Sequence, residues 1–123
     1  MNDEQPEKDL KVRTKEFALR IIRLCSVLPQ NGPVDVISRQ LVRSGTSVGA
    51  QYREAHRARS DAEFVSKLEC VTQELDETIY RLELLIGGNF VTTAKLAPLQ
   101  KEADELMSIF VASIRTAKNN KRR

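Results

Sequence analysis

Residues 60–86, SDAEFVSKLECVTQELDETIYRLELLI, decide the fold. Phe64, Leu68, Val71, Leu75, Ile79, Leu82 and Leu85 or Ile86 recur at the three-to-four-residue spacing that places side chains on one face of an α-helix. The stretch opens on Ser60-Asp-Ala-Glu63, a capping box. The Ser60 hydroxyl can accept from the Glu63 N–H, and the Glu63 carboxylate can return to the Ser60 N–H. Gly87-Gly88-Asn89 stops the run. A helix this long with a single apolar stripe is stable only when that stripe is covered by other helices.

Three further segments supply them. Leu10, Phe17, Ile21, Leu24 and Leu28 set the first stripe, widened by Ala18, Ile22 and Cys25, and PQNGP (29–33) breaks it. The second opens near Val34, runs to about Arg57, and turns Ile37, Leu41, Ser44, Val48, Tyr52 and Ala55 inward. The fourth carries Leu96, Leu99, Ala103, Leu106, Phe110, Ile114 and Ala117. Pro98 predicts a short turn first and a regular helix only from about residue 98, because an interior proline removes a backbone bond. The last six residues, KNNKRR, are expected to fray. Short connections make successive helices antiparallel neighbours. The expected architecture is all-α, an up-down-up-down antiparallel four-helix bundle. It forms a single domain over 1–123, with an ordered core at about 9–118 and flexible tails.

Composition narrows the function. Cys25 and Cys70 stand alone without a CxxC or a nearby histidine, so they read as reduced packing residues, not zinc ligands. No apolar run is long enough to span a bilayer, and the acidic, polar start MNDEQPEKD is unlike a signal peptide, so a cytoplasmic location is expected. No phosphate-cradling loop, nucleophile elbow or HExxH motif occurs. The one histidine, His56, lacks a carboxylate three or four residues away on its helix, and Glu69, Asp76 and Glu83 fall on a solvent-type face. No enzyme, cofactor or metal is expected.

Charge is unevenly spread. Residues 33–59 carry a net +3 and residues 92–123 a net +4, while residues 60–91 carry −5. Arg39, Arg43, Arg53 and Arg57 share one face of the second helix, with Thr46 and Ala50 between them. That face is about 27 Å long at the helical rise. Arginines so placed can meet successive phosphates of RNA or DNA, or they can pair with the acidic third helix. The absence of interleaved aromatics argues against a single-strand stacking platform.

The same helix contains Arg43-SGTSVGAQYRE-Ala55, with Gly45 and Gly49 on one side. Each interior glycine costs about 1 kcal/mol relative to alanine. With Ser44, Ser47 and Ala50 the two glycines make a slim face that admits a close neighbour, and Gly45, Gly49 and Tyr52 are the candidate contact residues, either within the bundle or in a second subunit.

The runs KEFALRIIRL, SRQLVRSGTSVGAQYREA, SDAEFVSKL and ELDETIYRLELL resemble the bacterial four-helix bundle protein family. That family includes proteins encoded inside intervening sequences of large-subunit ribosomal RNA genes, and it is related to the accessory protein of diversity-generating retroelements. The resemblance extends over about residues 9–118 and implies a non-catalytic, ring-like homopentamer. It also implies an RNA or DNA ligand, or a protein partner such as a reverse transcriptase, with Arg39, Arg43 and Arg53 as candidate phosphate contacts. The chain departs from the pattern at Arg13 and Arg81, where relatives often carry an aromatic residue. If those aromatics anchor neighbouring subunits, ring assembly here is weaker or rearranged.

Overall fold

The computed structural model describes residues 6–121, and their side chains from 9 to 120. It consists of four helices: α1 (Pro6–Ser26), α2 (Gly32–His56), α3 (Asp61–Gly87) and α4 (Thr93–Lys121). Each packs against the next in sequence and α1 closes back on α4; among the described residues the backbones of diagonal helices do not approach closely, and the diagonal is bridged by side chains such as Tyr52 and Phe110. Cross-helix pairs give the direction. Thr14 and Ile21 of α1 meet Gly49 and Gly45 of α2, Gln40 and Glu54 of α2 bond Arg81 and Lys67 of α3, and Lys118 of α4 reaches Glu69 of α3. Every neighbouring pair is antiparallel, so the fold is an up-down-up-down four-helix bundle.

Local chemistry fixes the ends. Asn31 is extended, Gly32 takes φ +68°, and Pro33 enters the first turn of α2 with its ring already at helical φ. Ser60 caps α3 by accepting from the Glu63 N–H at 3.1 Å. The return arm of the expected capping box differs: Glu63 Oε1 accepts from the Arg59 N–H at 3.3 Å instead of from Ser60. At the other end of α3, Asn89 adopts φ 64° while the Phe90 N–H bonds the Leu85 carbonyl and the Asn89 N–H bonds that of Ile86. This is a Schellman closure with asparagine in the left-handed position.

One expectation for α4, its start, is corrected. The helix begins at Thr93, before Pro98, and runs through Lys121. Thr92 caps it, accepting from the Lys95 N–H through its hydroxyl and from the Leu96 N–H through its carbonyl. Pro98 forfeits a bond close to the helix start, and burial of Leu96 and Leu99 on either side holds the turn in place. The outermost parts of the expected tails, residues 1–5 and 122–123, lie outside the described residues.

The core is aliphatic, centred on Ile21, Leu41, Val48, Leu68, Leu75, Leu82 and Leu106, with Phe17 and Phe110 as its largest fully buried side chains. Thr14, Ser44 and Thr78 are also fully buried. Thr78 Oγ1 lies 2.9 Å from Ser44 Oγ across the α2–α3 seam and 2.8 Å from the Glu74 carbonyl, so neither hydroxyl is stranded. The α1–α4 seam is the thinnest of the four. There Arg13 forms a fork with the Glu102 carboxylate at 3.0 and 2.6 Å and reaches Glu105 at 3.3 Å.

Candidate nucleic-acid interface

The four arginines of α2 lie along one exposed edge, but their surroundings differ. Arg39 is bonded to Asp35 one turn earlier at 3.0 Å, yet its side chain remains 79% exposed. Arg43 turns toward α3, 2.8 Å from Glu77 and 3.7 Å from Glu74. Glu77 also receives Arg81 at 3.2 Å, so one carboxylate serves two guanidinium groups. The acidic third helix thus holds Arg43 toward its own side of α2, although the side chain stays 56% exposed. Arg53 and Arg57 are exposed and form no ion pair with any described residue.

The neighbour admitted by the slim face of α2 is α1 of the same chain. A Cβ at Gly49 would stand 3.0 Å from Thr14 Oγ1 and 3.6 Å from the Thr14 backbone carbon, and one at Gly45 would collide with Ile21. Tyr52 is likewise a core residue: it is 5% exposed, its ring centroid lies 5.5 Å from that of Phe110, and His56 stacks on it at 6.3 Å. The three residues that could have served either a helix contact or a subunit contact therefore sit within this bundle.

Close approach at the glycines creates a shallow groove outside the seam. Thr14, Lys15 and Ala18 of α1 face Thr46, Gly49, Ala50 and Arg53 of α2 around about 370 Å³. The floor is made of small side chains and the flanks carry Lys15 and Arg53. Lys15 escaped the sequence reading because it is on another helix; only the α1–α2 register, set by the glycines, brings it beside Arg53. A tubular anion lying in this groove would have a cation on each side, with Arg57 further along.

Other polar groups serve the fold. Lys67 donates to Glu54 at 2.7 Å; this bond holds the Glu54 carboxyl below the ordinary carboxylate range and raises Lys67. The bond from Arg13 to Glu102 raises the guanidinium above its already high value. Burial pushes the Cys25 thiol up, with a smaller opposing effect from its bond to the Ser38 carbonyl. Both cysteines are free thiols, Cys25 buried and Cys70 half-buried. Among the described residues no three His, Cys, Asp or Glu side chains gather as a metal site, and no helix is long and apolar enough to cross a membrane.

The profile of the 23S rRNA-intervening sequence protein family matches residues 8–112. A crystal structure of a protein of unknown function from the S23 ribosomal protein family of Bacteroides thetaiotaomicron superposes with a TM-score of 0.80 at 34% identity. The alignment covers 89% of this chain and 97% of that one. No curated protein matches. The matched segment takes in nearly all of α1, α2 and α3 whole and most of α4, including the glycine seam and the arginine edge, and the chain belongs to the 23S rRNA-intervening sequence protein family.

Proposed function

We propose that this protein is a non-catalytic bundle that assembles with copies of itself, as a pentameric ring, and presents the outer α1–α2 edge to RNA or DNA. The observation that carries the nucleic-acid part is the flanking of the small-residue groove by Lys15 and Arg53, with Arg57 beyond, none of them in an ion pair with a described carboxylate. Arg39 extends the edge, and Arg43 joins it when released by Glu77. Because the contacts are to phosphates and not to bases, affinity follows shape and charge. Each phosphate neutralised on duplex DNA contributes roughly −0.9 to the slope of log affinity against log salt.

Binding of a structured RNA and of a DNA duplex across a salt series tests this. Steeply salt-dependent binding that weakens on Arg53→Glu and Arg57→Glu, with the fold intact, supports it. A flat salt response or no binding at low salt refutes it.

A second reading, a scaffold for another protein, draws on an exposed apolar cluster formed by Tyr80, Leu84 and Phe90. Capture of one defined partner that survives nuclease treatment would favour that reading over nucleic acid.

A further inference from the structure

Eight large apolar side chains remain exposed among the described residues, and half of them gather at one end of the α2–α3 surface. Tyr80, 59% exposed, and Leu84 lie one turn apart on the same face of α3. Past the Schellman closure the chain folds Phe90 back over Gly88, where a Cβ would come within 2.8 Å of the Phe90 ring and 3.1 Å of the Leu84 carbonyl oxygen. The Gln40–Arg81 bond sets the α2–α3 register, and one turn further along each helix brings Val36 alongside Leu84. Asp76 and Glu83, one turn to either side of Tyr80, are exposed and form no ion pair with any described residue. This surface is apolar and acidic.

A complementary surface lies elsewhere on the chain. The end of α1 and the start of α2 flank a shallow, open groove of about 420 Å³. Ile22, Pro29 and Val42 form apolar walls, and the Asp35–Arg39 pair stands at one edge. Ser38 also lines it; it is 7% exposed and its hydroxyl has no hydrogen-bond partner. Ile22 belongs to the first apolar stripe by sequence, yet it is left uncovered here.

We infer that these surfaces are the two halves of one head-to-tail contact between copies of this chain, with Tyr80 and Leu84 of one copy seated in the α1–α2 groove of the next. The inference rests on the self-assembly part of the function proposed above. Tyrosine suits the groove, having an apolar ring for its walls and a hydroxyl for its polar edge. Charge selects the pairing. Asp76 and Glu83 flank Tyr80 on α3, whereas the edge of the groove carries the Arg39 guanidinium, 79% exposed beside Asp35. A symmetric contact would set Asp76 and Glu83 against their own counterparts, or one concavity against another. Unlike surfaces on one chain repeat head to tail and close into a ring when the rotation permits. The contact uses the Arg39 end of the edge and leaves the Lys15–Arg53 groove open.

The test is the mass of the full chain by light scattering and sedimentation, for the wild type, Tyr80→Asp, Ile22→Asp and an equimolar mixture of the two variants. Both positions are exposed, so helical content is retained; Tyr80→Ala and Ile22→Ala provide a milder pair with the same logic. The expected result is an assembled wild type and variants whose assembly is weakened by at least about 30-fold, as for interface hot spots. The mixture is expected to give two-subunit particles, because each variant retains one good surface and only one productive contact can form. A wild type that is assembled together with variants that stay assembled places the contact elsewhere, and self-assembly itself stands. Monomeric variants that stay monomeric when mixed refute the head-to-tail pairing. A monomeric wild type at tens of micromolar overturns both this contact and the self-assembly reading.

Discussion

Ile21 of α1 occupies the space that a side chain at Gly45 of α2 would need. Ile21 is fully buried, so its terminal methyl has no free volume in which to retreat. Alanine at position 45 gains about 1 kcal/mol of helix propensity and meets an overpacking cost of about 1–3 kcal/mol. Gly45→Ala is therefore expected to lower stability by about 1 kcal/mol net. Ile21→Val removes the obstructing methyl and alone costs about 0.5–1.5 kcal/mol. The two together should cost less than their sum, and a denaturant double-mutant cycle measures that coupling. Strict additivity would mean that α1 moves aside freely.

Gly49 offers a harsher probe because part of its neighbour is backbone. The Thr14 hydroxyl is held by the Leu10 carbonyl at 2.7 Å and cannot swing away without losing that bond. Gly49→Leu, although it improves intrinsic helix propensity, is expected to destabilise by more than about 2 kcal/mol through overpacking and loss of the α1–α2 approach. A gain in thermal stability would contradict close packing at this seam.

Glu77→Gln separates the two competing uses of Arg43. The pair is half exposed, so its loss should cost no more than about 1 kcal/mol of stability. Freed from Glu77, with only the longer 3.7 Å contact to Glu74 left, Arg43 can turn outward beside Arg39. If the outer edge binds nucleic acid, the variant should bind more tightly, with a salt slope steeper by roughly 0.9 on duplex DNA. Unchanged affinity would place Arg43 outside the binding surface.

The contrast between Arg43 and Arg53 marks the boundary of what one dimension conveys. Both belong to the arginine row by spacing alone, but whether an arginine faces a carboxylate depends on the α2–α3 register, which no single helix encodes. The same holds for Lys15, which joins the candidate groove only through a contact between helices. The stripes were legible because apolar burial dominates each helix, and Leu68, Val71, Leu75, Leu82 and Leu85 are all buried. Thr14 and Thr78 were not, because threonine counts as polar in a pattern; each hides its hydroxyl on the carbonyl one turn back and packs its methyl group. Ile22 failed in the opposite direction, an apolar residue at the margin of its stripe that no neighbouring helix covers.

The thiols should differ in reactivity. Cys25 is buried, and its thiolate is disfavoured by desolvation, whereas Cys70 is only half-buried. In the folded protein a disulfide reagent is expected to modify Cys70 first, with Cys25 reacting only as the bundle opens. A Cys70→Ser variant isolates the slow phase, whose rate should rise with denaturant. Equal, fast labelling of both would contradict the packing around Cys25.

Acid should remove the contribution of the Glu54–Lys67 pair. The Glu54 carboxyl is held below its ordinary value by the Lys67 bond, so the folded state binds its proton less readily than the unfolded chain. Its contribution is present above the unfolded value of about 4.3 and fades as pH falls through the lower folded value. Lys67 is raised, so its share persists until pH climbs past the ordinary lysine range. The stability gap between the wild type and Lys67→Gln should therefore be flat across neutral pH and close in strong acid. Both groups are exposed, and added salt should shrink the gap at every pH.

Arg13 controls the weakest seam of the bundle. It reaches across from α1 to Glu102 and Glu105 of α4, the neighbouring helix pair whose backbones are in least contact. The two-pronged geometry to Glu102 suits a guanidinium and not a point-like ammonium. With Arg13 one-third exposed, Arg13→Ala is expected to cost about 1 kcal/mol, at the upper end for a solvent-accessible pair. Arg13→Lys should recover less than half of that loss. Hydrogen exchange adds a spatial readout: in Arg13→Ala, amides in the first half of α1 should exchange faster, while those in α3, covered on both sides by α2 and α4, keep their protection. If protection fell uniformly instead, the seam would be no weaker than the rest, and Arg13 would act on global stability alone.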